Sequence, residues 1–478
     1  MKHRGLFALA LLLTLLGLCA GARALELGGK SYTPFKANEI TIQSSQAGTV
    51  TIEAASGDLR WKPVAVDAPV AAGTTTLQWD ALTWGGEPLP RGRLTLTAYF
   101  SGEDGREEQA RIEATVTKPR SAVESCLAAA SEFCADGKKS LLVEITLSAP
   151  GSAKIWITPE GEPENRVWKG GGETKDNNPI KFSWNGRDQR RQLVPPGRYT
   201  VWAASTLSPA YVASSSFTVT DTPRSRDLFV TGSLLPADWT DDAAVWAALT
   251  APIVVGEGEE GNGLRVLAAK SKNAEVVGTC SCRTVGVTVL SLDGDGWARV
   301  GIWRQQDGVY TEGYVAEKNL QVVWPSTRYG AVIDKQAQTM TFYEEGRRLG
   351  SILVSTGLVR KNFPKAETRS GAYLIGTRLP FSFEDEGFHY TYPLRIDGGN
   401  LIHAVGFRIH DNLRDYSEEL PLLGTAASHG CVRMDMRATA DDSLSAWWVW
   451  THLGRDTKLL VTDDAAEMMQ RRREAGLE

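Results

Sequence analysis

Residues 425–435, TAASHGCVRMD, set Cys431 directly after Ser428, His429 and Gly430. A thiol attacks as its thiolate, and a free cysteine with a pKa of about 8.5 is only slightly ionised at neutral pH. A neighbouring imidazole can take the proton, steady the ion pair and later return the proton to a leaving amine. A tight turn with glycine lets backbone N–H groups face a developing oxyanion. The stretch therefore holds the parts of a cysteine acyl-transfer site: Cys431 as nucleophile, Gly430 as the flexible residue, and Ser428 and His429 in support. Two upstream histidines are candidate bases. His403 is preferred, because it follows a Gly398-Gly399 turn on the apolar stretch NLIHAV, which fixes its side chain. His410 lies nearer to Ser428 but reads as a loop histidine. His389, among aromatics in EGFHYTYP, is read as structural or substrate-lining, and His452 as part of a closing helix. Arg433 either reads a substrate carboxylate in bidentate fashion or makes a structural salt bridge. No cofactor or metal is called for, since the Cys-x-Cys at 280–282 lacks companion ligands at zinc spacing.

The cysteine count sharpens the case for Cys431. Lys2 and Arg4, an apolar run over 6–19 and the small residues of Ala22-Arg23-Ala24 read as a signal peptide over residues 1–24. That run is short for a bilayer span. His3 and Cys19 would leave with it. An exported chain, in the periplasm, cell wall or extracellular space, is expected to pair Cys126 with Cys134 and Cys280 with Cys282 as local disulfides. Cys431 is then the odd thiol, and an odd thiol in a secreted protein is intermolecular or reactive. A net charge of -5 over 478 residues argues against nucleic acid as a partner.

The elements that must carry this site read as mainly β. TLQWDALTWGGEPLPRGRLTLTAYF and KFSWNGRDQRRQLVPPGRYTVWAAS repeat each other, with Trp79 matching Trp184, Pro90 Pro195, Gly92 Gly197 and Arg93 Arg198. Alternating runs around both, such as TVTIEA and LLVEITL, predict two small β-sandwiches over 36–118 and 139–221, with the matched tryptophans in their cores. The Pro-x-Gly-Arg hairpin resembles the Ig-like modules of the flagellar hook-capping protein family, a likeness of scaffold that implies no chemistry. A loop-rich linker is expected over 222–262. The DGWARV and EGYVAEKNL segments of 263–325 resemble a bacterial SH3-like barrel, which serves in wall binding or as a spacer. A helix with Trp447, Trp448 and Trp450 as packing residues is expected near the end, followed by a solvated charged tail over 463–478.

The last module, 327–462, resembles the L,D-transpeptidase catalytic domain of YkuD type. The resemblance rests on Ser428-His429-Gly430-Cys431-Val432-Arg433, an upstream histidine, the STG at 355–357 and SGAYLIG at 370–376. It implies a β-sandwich with few helices that acts on peptidoglycan stem peptides. Cys431 would attack the carbonyl of the third stem residue and expel the terminal D-alanine, and an amine of a neighbouring stem would resolve the thioester into a cross-link. Water as acceptor would give an L,D-carboxypeptidase, and a protein amine would give wall attachment. A wall-binding scaffold without catalysis is the reading of a different class, disfavoured by the intact motif.

Overall fold

The computed structural model describes residues 25–476, apart from 58, 177, 224–227, 229–233, 380–381, 412 and 438–443. The signal segment expected over 1–24 lies outside the described residues. The chain divides into two compact units. Among the described residues, one holds those up to Arg120 together with those of 409–414; the other holds those of 121–408 and those from Asp415 onward.

The first unit is built on a β-sandwich. The alternating burial of Asn38–Ser44 shows how period two gives a strand one apolar face. Leu25–Gly28, Asn38–Ser44 and Gly73–Trp79 form a three-stranded sheet. A six-stranded sheet is centred on Gly48–Ser56 and Gly92–Gly102. Ile40 and Ile42 from the first sheet and Val50, Ile52, Leu94 and Leu96 from the second share one core with Trp79.

The second unit opens with another sandwich. Its three-stranded sheet (Val123–Ala128, Leu141–Leu147, Ile180–Trp184) and its five-stranded sheet centred on Gly197–Ser205 share a core around Trp184. Both matched tryptophans are thus core residues. A five-stranded antiparallel sheet follows, in the order Val276–Ser281, Gly263–Leu267, Tyr310–Ala316, Trp297–Trp303, Thr288–Leu292. The unit ends in an eight-stranded sheet. Its order is Gly371–Leu374, Lys458–Thr462, Tyr329–Asp334, Thr339–Glu344, Arg347–Ser355, Val432–Met434, Asn400–Ala404, Leu394–Asp397. Ala446–His452 is the expected closing helix, capped by Ser445, whose hydroxyl accepts the Trp448 N–H at 3.3 Å. Trp448 packs against Tyr329 and Phe342, and Trp447 and Trp450 against Tyr392, so all three tryptophans are packing residues.

Three expectations give way here. The stretch read as linker contains a helix, Asp242–Thr250, and a strand, Ile253–Gly256, that pairs with Leu320–Val323. Val245, Leu249 and Ile253 join Val332, Leu374 and Leu460 in one core, which a spacing search for long periodic runs misses because the helix is short. The terminal Ala465–Glu474 is a helix, but Arg472 is buried in it and pairs with Glu367 at 3.1 Å, so it is not merely solvated. The anticipated disulfides are not formed: Cys126, Cys134, Cys280 and Cys282 are free thiols. Cys126 points into the sandwich core toward the Val201 carbonyl, while Cys134 sits on a strand of the opposite sheet, parallel to Val212–Thr220. The Cys282 sulfur lies against Gly256 and Gly258, whereas Cys280 is buried on the strand paired with Gly263–Leu267. Cys431 is therefore not singled out by elimination.

Candidate active site

Sheet register places His403 and Cys431. The hairpin turn at Gly398, in the left-handed region at φ +54°, reverses Leu394–Asp397 into Asn400–Ala404. That strand then runs parallel to Val432–Met434, with His403 opposite Arg433 and Ile402 opposite Val432. Alternation puts His403, Arg433 and Cys431, two residues before Arg433, on one face of adjoining strands about 4.8 Å apart. The Leu401 N–H points at the Cys431 sulfur at 3.4 Å. His410 is exposed on the short strand Arg408–His410 and belongs to the other compact unit.

The turn that presents the thiol is held from both ends. The Ser428 hydroxyl donates to the Cys431 carbonyl at 2.5 Å and accepts the Gly430 N–H at 3.1 Å, so Ser428 folds the motif onto itself. Gly430 adopts φ +120°, and a Cβ there would meet the Asn400 side chain at 2.6 Å; only glycine fits. The STG stretch grips the same turn: the Ala427 and Ser428 N–H groups donate to the Thr356 carbonyl, and Leu358 N–H donates to the Ser428 carbonyl. Thr368 bridges the two segments. Its hydroxyl accepts the Gly357 N–H at 2.8 Å and donates to the Gly430 carbonyl at 2.9 Å. His429 points the other way, exposed, with Nε2 2.9 Å from Arg360 and its ring edge-on to Phe363.

The electrostatics follow from burial. His403 is 3% exposed, edge-on to Tyr390 and Phe383. Burial pushes its imidazole down to about 4, the Arg433 charge assisting and the Ala404 carbonyl opposing. A carbonyl can only accept, so Nδ1, 2.8 Å from the Ala404 oxygen, carries the proton, and Nε2 keeps the lone pair. Burial also pushes the Cys431 thiol up, partly offset by the Leu401 N–H and by Arg433. Both shifts favour the uncharged forms, a thiol and a neutral imidazole, because both side chains are taken out of water. Arg433 pairs with Glu419 at 2.9 Å, and Glu419 also accepts the Tyr390 hydroxyl at 2.9 Å and the Gly406 N–H at 2.6 Å. His389 backs onto Phe407 on the hairpin that carries Phe383 and Tyr390.

Thr368, Asn400, Glu419, Tyr390 and Phe383 are the residues that sequence reasoning missed. Phe383 and Tyr390 share one hairpin and Asn400 begins the His403 strand, and none of the five stands at a spacing from Cys431 that marks it. Among the described residues, no group of three His, Cys, Asp or Glu side chains is placed to hold a metal ion. Nor is any described helix long and apolar enough to cross a membrane.

Residues 328–449 match the family model of the YkuD L,D-transpeptidase catalytic domain. The mainly β fold and this match define that segment as a domain of the L,D-transpeptidase class. No curated protein matches the chain. Among solved structures, an L,D-transpeptidase fragment from Xylanimonas cellulosilytica is similar at 20% identity and TM-score 0.21, covering 29% of this chain and 61% of that one. The chain thus spans less than two thirds of that relative. An L,D-transpeptidase from Mycobacterium smegmatis is similar at 16% identity and TM-score 0.23, covering 45% of this chain and 92% of that one. One from Mycobacterium tuberculosis is similar at 13% identity and TM-score 0.23, covering 43% and 96%.

Proposed function

We propose that the protein is an exported L,D-transpeptidase that cross-links peptidoglycan stem peptides through a thioester on Cys431. The observation that carries this reading is the parallel register that sets His403 and Cys431 on one face, with the imidazole lone pair on Nε2. As the sulfur attacks the carbonyl carbon of the third stem residue, the thiol proton passes to His403 Nε2. The carbonyl electrons move onto oxygen, where the Cys431 N–H stabilises the oxyanion. Collapse breaks the C–N bond, and His403 returns the proton to the departing D-alanine amine, leaving the thioester. An acceptor amine then attacks the thioester carbon, gives its extra proton to His403 and displaces the sulfur, which is reprotonated.

Ser428, Gly430 and Thr368 hold the sulfur and oxyanion donor in place, and the Arg433–Glu419–Tyr390 group fixes the wall around His403. The test is incubation of the full chain with a tetrapeptide stem, with and without a second stem as acceptor, and mass spectrometry of the products. A dimer cross-linked between third residues is expected. Tripeptide as the sole product would instead assign an L,D-carboxypeptidase on the same site, and an unconverted substrate would leave the domain as a wall-binding scaffold.

A further inference from the structure

The two repeated turns build one backbone with two different tips. After Trp79, Ala81 and Gly86 take left-handed φ of +56° and +82°; after Trp184, Gly186 and Arg191 do the same at +78° and +64°. The turn hydrogen bonds match as well. Thr83 N–H donates to the Glu87 carbonyl at 2.9 Å, as Asp188 N–H does to Gln192 at 2.8 Å. Leu89 N–H donates to Ala81 at 3.1 Å, as Val194 N–H does to Gly186 at 2.9 Å. Each core indole N–H even reaches the same carbonyl, Leu82 in one repeat and Arg187 in the other. At the tip the likeness ends. The first repeat has Trp84 where the second has Gln189. The scaffold therefore folds without an aromatic there, and Trp84 is not explained by the turn.

Trp84 is 55% exposed, and its indole N–H is pinned to the Pro63 carbonyl at 2.8 Å, which fixes the ring's orientation. It lines a cleft of about 200 Å³ with Trp61, Lys62, Asp80 and Thr83, and the Lys62 ammonium lies 5.1 Å from the Trp84 ring centre. A cavity of roughly 150 Å³ holds a benzene ring. This cleft accordingly has room for one six-membered ring with its substituents. Two indoles offer apolar contact area, while the lysine, aspartate and threonine offer donors and acceptors of both signs at the rim. A β-linked pyranose has that same division, with C–H groups on its faces and hydroxyls around its edge. A phosphate-bearing ligand would meet Asp80, and a polyproline segment needs a groove several residues long.

We propose that the Trp61–Trp84 cleft of the first unit is a sugar subsite for a β-linked pyranose chain. It is separate from the Cys431 site, and its test does not depend on the reaction assigned there. Isothermal titration of the full chain with chitohexaose, and in parallel with cellohexaose, reads binding directly. Wild-type protein is expected to bind chitohexaose saturably. Trp84→Gln, which places at the tip the residue the second repeat already folds with, should weaken it at least tenfold, and Trp84→Phe, which keeps a ring face, by no more than about threefold. Equal binding of cellohexaose would assign recognition to the pyranose face, and weaker binding would assign it to the acetamido group as well. No saturable binding by wild-type protein at millimolar sugar, or equal affinity in wild type and Trp84→Gln, overturns the proposal.

Discussion

Cys431 and His403 share a face of the sheet where burial favours the uncharged form of each, and this governs what each substitution should do. Alkylation of Cys431 should be slow at neutral pH and climb through the alkaline range, because burial raises the thiol. A plateau reached by pH 7 would show a resting thiolate instead. His403→Ala should lower turnover about 100- to 10,000-fold, the usual contribution of a general base. It should barely move the alkylation profile. His410→Ala, on its exposed strand, should leave turnover near wild type, and the opposite ranking of the two variants would reassign the base. Thr368→Val removes the one hydroxyl that ties Gly357 to Gly430 while keeping its volume. Misplacement of a reacting group by about 1 Å costs roughly 100-fold, so kcat should fall by one to two orders with KM little changed. Stability carries a pH signature too. Burial pushes both His403 and His452 down to about 4. As pH falls below about 6.5, the unfolded chain therefore takes up protons first. The stability these histidines confer is complete above that pH and drains away toward pH 4, up to about 3 kcal/mol for His403 and less for the partly exposed His452. Denaturant midpoints measured from pH 7 to pH 4 check the sign.

Among the elements, the parallel pair Asn400–Ala404 and Val432–Met434 does the positioning, and its parts were legible to different degrees. The Gly398-Gly399 turn, the apolar strand and the Ser-His-Gly-Cys turn are local signals, so His403 and Cys431 were readable from their own neighbourhoods. Thr368 and Glu419 were not, because each is fixed by partners far along the chain. The disulfides failed for a related reason: spacing says how near two cysteines are in sequence, not which sheet each side chain faces. The linker and tail were misread because a nine-residue helix and a buried Arg472 depend on tertiary partners for their meaning. The Arg472 helix is tied to the eight-stranded sheet through Glu367, which also accepts Lys335 at 2.9 Å, all three side chains being buried. Glu367→Ala would leave Lys335 on Asp463 at 2.8 Å and Arg472 on the Asp307 carbonyl at 2.8 Å, and losing charged hydrogen bonds of this kind costs about 1.5–3 kcal/mol. Urea unfolding should show a loss of that size, whereas a change under 1 kcal/mol would mean that water reaches the cluster.

For the whole molecule, two sandwiches and a small sheet accompany the segment that matches the L,D-transpeptidase family model, and the repeats of the sandwiches were visible as matched Trp, Pro, Gly and Arg positions. Their backbones agree to the level of single hydrogen bonds, and the difference at Trp84 and Gln189 becomes informative only against that agreement. Export, the Ig-like and SH3-like assignments of the accessory modules and the stem-peptide substrate form the proposed part of the account. The transpeptidase reading rests on one chemical event, acylation of Cys431. Intact-protein mass spectrometry of the full chain mixed with a tetrapeptide stem, followed by peptide mapping, observes that event directly. The account predicts an adduct equal to the donor less its terminal alanine, carried on Cys431 and absent from Cys431→Ser. Turnover with the adduct on another residue, or undiminished turnover in Cys431→Ser, would contradict it.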